Sequence, residues 1–219
     1  MQDLIYWTYK ILVYTDLLIF LGLAVTLIIY FKKLPQALKI LTFLVTLLCF
    51  IGITVNILST LGIRNTYFIH VLLFLQLTGF TFYYKELFGN TKSAIVVAAA
   101  GAAVFIFYTI FYIANWKDII WQLGGTTYSI STLLFIGYAI YYYYNTLKGV
   151  RLPYPLINAA VLIYFATTSI VFLFGNQLQK MPPQPLRIIW ILNVLVHMLF
   201  VLLIFADVWK TLRLNRKTL

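Results

Sequence analysis

The sequence predicts an all-α polytopic membrane protein with seven transmembrane helices. Three observations lead there. First, 63% of the 219 residues are hydrophobic and only 10% are charged, whereas soluble domains run at about 25% charged. Second, the apolar residues fall into seven runs, at approximately 11–31, 40–61, 67–84, 93–114, 126–144, 156–174 and 188–206, and a helix needs roughly 20 apolar residues to cross a hydrocarbon core of about 30 Å. Third, Lys and Arg are shared unequally between the two sets of loops. The net charge of +11 would point to nucleic acid in a soluble chain, but short loops between apolar runs are where the positive-inside rule places basic residues. No nucleic-acid partner is therefore expected, and the lipid bilayer is the first partner. No polar stretch is long enough for a soluble domain, so residues 1–219 form a single membrane domain.

The runs are continuous in apolarity, as spanning helices are, rather than short and alternating, as barrel strands are. Short loops make successive helices antiparallel. Lys32, Lys33, Lys39, Lys85, Lys92, Lys148, Arg151, Lys210, Arg213, Arg216 and Lys217 then lie on one side, and Lys10, Arg64, Lys117, Lys180 and Arg187 on the other. The richer side is expected in the cytoplasm. This puts the N-terminus outside and the C-terminus inside the plasma membrane, the inner membrane of a bacterium. Trp7, Trp116, Trp121 and Trp190 would anchor the outer interface, and tyrosines 141–144 with Trp209 the inner one. Residues 116–121 read as a short helix lying on the outer surface. Gly89-Asn90 reads as a turn. Cys49 is the single cysteine, so no intrachain disulfide can form. Residues 1–4 lack a basic leader and a small-residue cleavage site, so no signal peptide is expected.

The fourth run differs from the rest. Ala98, Ala99, Ala100, Gly101, Ala102 and Ala103 make its first half almost all small side chains, which lets helix backbones approach closely in lipid. Three runs precede it and three follow, both sets starting on the same side. This is the layout of a parallel repeat, with one repeat at about 5–88, a linker helix at about 93–114 and a second repeat at about 125–212. Sliding the first helix over the fifth by 115 positions aligns Leu18, Phe20, Gly22, Ala24 and Lys33 with Leu133, Phe135, Gly137, Ala139 and Lys148. In a leucine-rich chain that match stands barely above chance, and the topology carries the repeat.

This pattern resembles the 3+1+3 seven-helix families: SWEET sugar transporters, PQ-loop proteins and PnuC-type vitamin transporters. The resemblance implies a transporter fold. It extends to helix count, orientation and repeat, and not to motifs. Pro35-Gln36 stands after the first helix rather than within one, and Trp116 and Trp121 do not have WxxW spacing. No family site residue is carried over. In its Tyr/Ile/Leu/Asn-rich style the chain also resembles seven-helix proteins of Bacteroidetes bacteria, which implies no function.

Charged groups inside a membrane are costly and mark function. Asp16 is the clear case, about five residues below the outer end of the first run, or about 8 Å deep at 1.5 Å per residue. Asn56, Ser59, His70, Ser131, Thr168, Ser169 and Asn193 fall at similar depth, and His197 shares a helix face with Asn193. Gln76 lies deeper. The candidate ligand-binding residues are therefore Asp16, Asn56, His70, Gln76, Ser131, Asn193 and His197, expected around one outward-facing polar cavity. The competing reading is that such groups bond helix to helix. No HExxH, no metal-spaced histidines, no Gly-rich phosphate loop and no lysine in the seventh run are present, so neither an enzyme nor a cofactor or metal is expected. Two functions remain: a transporter of a small polar solute, or a seven-helix receptor or sensor signalling through a separate partner. A second copy of the chain is compatible with both. A transporter also needs polar groups in the inner half, where Gln76, Asn158 and Tyr164 are the ones on offer.

Overall fold

The computed structural model describes residues 2–63, 65–119, 125–178 and 180–217. Seven long helices dominate: α1 (Gln2–Ile29), α2 (Gln36–Thr60), α3 (Tyr67–Phe88), α4 (Lys92–Ile119), α5 (Gly125–Leu147), α6 (Pro155–Leu173) and α8 (Pro183–Lys217). A four-residue helix, α7 (Gly175–Leu178), separates α6 from α8. There is no strand among the described residues.

Six of the long helices are long and apolar enough to cross a membrane; α5 is not among them. Its tyrosines and hydroxyl residues lower its hydropathy, yet five of them point inward. Tyr128, Ser131, Thr132, Tyr138 and Tyr142 are all buried. Polar side chains on the bundle side of a helix cost little when they bond to neighbouring helices. Tyr138 donates to the Val97 carbonyl at 2.9 Å, and its hydroxyl lies 3.3 Å from Thr81 Oγ1.

Sequential helices pack side by side, α1 also packs along α8, and α3 touches α5. Six helices thus close a ring, α1–α2–α3–α5–α6–α8, with α4 outside it and seated mainly on α3. The small-residue face of α4 explains that seat. A Cβ on Gly101 would overlap the Thr81 side chain, so the two helices meet closer than an alanine allows.

Several boundaries move. The first helix begins at Gln2 rather than near residue 11, and the last runs from Pro183 to Lys217. Lys10 therefore sits on α1, over the Tyr6 ring, and Arg187 of α8 covers the same ring. The short helix expected at residues 116–121 follows a break in α4: Asn115 is non-helical (φ −128°) and the helix resumes beyond it to Ile119; Ile120 and Trp121 lie outside the described residues. Tyrosines 141–144 are not simply an interfacial belt. Tyr142 donates to the carbonyls of Leu152 and Pro153, Tyr143 donates to that of Pro155, and the Tyr141 hydroxyl lies 2.9 Å from Ser93 Oγ. The Tyr142 and Tyr143 bonds tie α5 to the start of α6, and the Tyr141 bond ties it to α4. Gly89 ends α3 with φ +61°, the turn expected of Gly89-Asn90.

Candidate functional site

Longer helices change where Asp16 falls along its helix. It is the thirteenth of the 26 residues from Leu4 to Ile29 of α1. His197 is the fifteenth of 32 on α8, Gln76 the tenth of 22 on α3 and Tyr164 the tenth of 19 on α6. All four stand near the middle of their helices. These four side chains line one cavity of about 180 Å³, together with Leu17, Phe20, Phe80, Phe165 and Phe200.

His197 Nδ1 lies 2.9 Å from each carboxylate oxygen of Asp16. A carboxylate only accepts, so Nδ1 carries the hydrogen and donates. The contact is an ion pair when the imidazole is protonated and a hydrogen bond when it is neutral. Their side chains are 21% and 14% exposed, respectively, so both open toward the cavity. Three aromatic rings hold the imidazole. Phe20 and Tyr164 meet it edge-on at 5.1 and 5.4 Å, and Phe200 stacks at 6.0 Å. With Nδ1 committed to Asp16, Nε2 is the nitrogen left for another group. Gln76 adds a carbonyl oxygen that is buried and without a hydrogen-bond partner among the described residues. The cavity so combines a bonded carboxylate, an unengaged amide oxygen, a phenol and an aromatic surround. That set can bind a small solute offering hydrogen-bond donors.

The other candidates do not join this cavity. His70 is buried and lies 2.5 Å from the Tyr112 hydroxyl, binding α3 to α4. Ser131 is fully buried and lies 2.7 Å from the Tyr108 hydroxyl, which also donates to the Thr127 carbonyl. Both are helix-to-helix bonds. Asn56 is half-buried near the end of α2 and away from the cavity lining. Asn193 stands one turn from His197, and its carbonyl oxygen is buried without a partner, but it does not line the cavity. A single polar layer drawn from six helices is therefore corrected to one mid-helix pocket and two separate interhelical bonds. Thr168 bonds back to the Tyr164 carbonyl within α6.

Asp207 of α8 lies three residues before Lys210. It is 2% exposed rather than solvated. Its Oδ2 accepts the Ile157 backbone N–H at 2.9 Å, so a carboxylate from α8 caps the start of α6. Helix starts leave their first N–H groups unpaired and favour negative charge.

No protein-family model matches the chain, and neither a curated protein nor a solved structure is similar to it at a significant level. The functional reading therefore rests on this chain's own residues.

Proposed function

We propose that the protein is a seven-span membrane transporter of a small polar solute, with Asp16, Gln76, Tyr164 and His197 as its binding site. One observation carries the reading: these four mid-helix residues line a pocket between α1, α2 and α3 on one side and α6 and α8 on the other, closed along the α1–α8 seam. In the proposed 3+1+3 layout that seam joins the two three-helix halves, and transporter sites lie near the bilayer midplane at the interface between repeats. The ring contacts fit the same layout. The α1–α2 and α2–α3 contacts of one half have counterparts in α5–α6 and α6–α8 of the other, and α4 stands outside the ring. The α3–α5 seam is much sparser than the α1–α8 seam, so one seam can loosen while the other acts as the pivot. α5 counts as the seventh span because its polar groups turn into the bundle.

In this reading the N-terminus is outside and the C-terminus in the cytoplasm, as the eleven-to-five division of basic residues supports. The solute enters from outside, engages Gln76 and His197 Nε2, and is released inward as the halves rock. The receptor reading shares the pocket but needs no second side to it. A thermal-shift screen of small metabolites against the wild-type protein and Asp16→Asn tests the site. A metabolite that raises the melting temperature of the wild type and not of the variant supports it. Equal stabilisation of both places the binding elsewhere.

A further inference from the structure

Two apolar grooves lie on the surface of the bundle, at the end where α1 finishes and α2 begins. Each has a volume of about 570 Å³, within the roughly 300–1,000 Å³ of small-molecule sites. The first runs between α2 and α3. Phe43, Leu44 and Leu47 line it from α2, and Leu75, Gly79 and Phe82 from α3, with Gln36 and Lys39 at one end. The second lies over the join of α1 and α2, lined by Ile28, Ile29, Thr42 and Thr46 together with Lys32 and Lys33. The two linings share Phe31 and Phe43. Both rings are exposed and form the ridge between the grooves.

Charge is confined to one end of both grooves. Lys39 belongs to the first turn of α2 and is half-buried. Its Nζ lies 5.8 Å from the centre of the Phe31 ring, so an ammonium stands over the ridge. Lys32 and Lys33 follow Phe31 directly in the turn Phe31–Lys33. No Asp or Glu lines either groove. Along α2 the first groove extends from Gln36 to Leu47, about 16 Å at 1.5 Å per residue. That is about half of a hydrocarbon core of about 30 Å, the depth of a single lipid leaflet. Its floor is the contact of Leu44 with Gly79, where a Cβ on the glycine would overlap the leucine side chain. Leu44 also lines the central pocket, so whatever fills the groove backs the pocket wall.

We infer that the two grooves together seat one anionic diacyl phospholipid, with its phosphate against Lys39, Lys32 and Lys33 and one acyl chain in each groove astride the Phe31–Phe43 ridge. Charge complementarity selects the headgroup. Basic clusters at the ends of spanning helices attract anionic lipid, and a zwitterionic headgroup brings its own cation to the three lysines and gains less. Length selects the chains. A helix of another protein would run on into the second leaflet, whereas the first groove stops at its middle. A free anion would engage the lysines and leave both grooves empty. The seat does not rest on the transporter reading, since a receptor would carry it equally.

Native mass spectrometry of the full chain released from micelles tests it, with phosphatidylglycerol and phosphatidylcholine of identical chains. Phosphatidylglycerol should be retained several-fold more tightly. Lys39→Gln should remove most of that preference, and Lys39→Arg should keep it. Lys148→Gln is the control. Lys148 also stands over a ring, that of Tyr144 at 4.3 Å, but lines neither groove, so its loss should leave the preference unchanged. Leu47→Trp fills the α2–α3 groove and should weaken both lipids alike. Equal retention of the two lipids, or an equal loss in Lys39→Gln and Lys148→Gln, would overturn the seat and leave a diffuse basic surface. Unchanged retention in Leu47→Trp would overturn the placing of the chain. Glycerophosphoglycerol, the headgroup without chains, should not displace the lipid at equal concentration; displacement would reduce the seat to an anion site and overturn it. A second copy of the chain retained in place of lipid would overturn it as well.

Discussion

The Asp16–His197 contact is the most direct handle on the pocket, and a double-mutant cycle measures it. His197→Ala leaves a carboxylate at the middle of the bundle with no donor. Breaking a buried charged pair by removing one member costs about 3–5 kcal/mol. The lower end applies here, because the Asp16 and His197 side chains keep 14% and 21% exposure and cavity water can take up part of the charge. Some of the loss is also packing, since the imidazole touches Phe20, Tyr164 and Phe200. The cycle with Asp16→Ala cancels that part. What remains is one charge-assisted bond of 2.9 Å, expected to couple by about 1–2 kcal/mol, between the value for charged hydrogen bonds in general and the smaller one found inside membranes. The assay is unfolding of both single variants and the double variant in mixed micelles, followed by far-UV ellipticity. Single-variant effects that add to within about 0.3–0.5 kcal/mol would refute the reasoning and make the two residues energetically independent.

Other variants test the frame around the pocket. Gly101→Ala should destabilise by about 1–3 kcal/mol through overpacking against Thr81, while Gly22→Ala, with no atom within 4 Å of the added Cβ, should be neutral or stabilising; thermal unfolding in detergent compares them. Asp207→Ala removes the cap of α6 and should lower stability by about 1–2 kcal/mol, read in the same assay, with Asp207→Asn recovering part of the loss. Orientation is read with Lys148→Cys and Lys180→Cys in a Cys49→Ser background. In intact cells an impermeant reagent should label position 180 and not position 148, and the reverse would invert the topology.

The apolar runs and their order were legible because hydropathy over about 20 residues is a strong signal and the bilayer leaves few alternatives to a helix. Helix ends were not. α1 carries Trp7 and Lys10 in its first turns, and α8 continues through Lys210 and Arg213, because amphipathic residues at an interface do not stop a helix. Asp16 and His197 were legible as ionisable residues in apolar runs, but their pairing joins positions 181 apart, and nothing local in the sequence announces it. His70 and Ser131 were legible as polar; which hydroxyls they meet depends on the rotation of α3, α4 and α5. Nothing local marks Asp207 as buried, since a carboxylate near Lys210 at a helix end looks solvated, and only the return of the α6 start to α8 buries it.

Transport itself is tested most directly by flux. A metabolite that stabilises the wild-type protein is supplied in radiolabelled form to proteoliposomes carrying wild type, Asp16→Asn or no protein, and lumenal counts are followed over time. The account predicts accumulation that rises well beyond one molecule per protein with the wild type and stays at the protein-free level with Asp16→Asn. Counts that saturate at one molecule per wild-type protein, without entry to the lumen, would contradict transport and leave the pocket to a receptor.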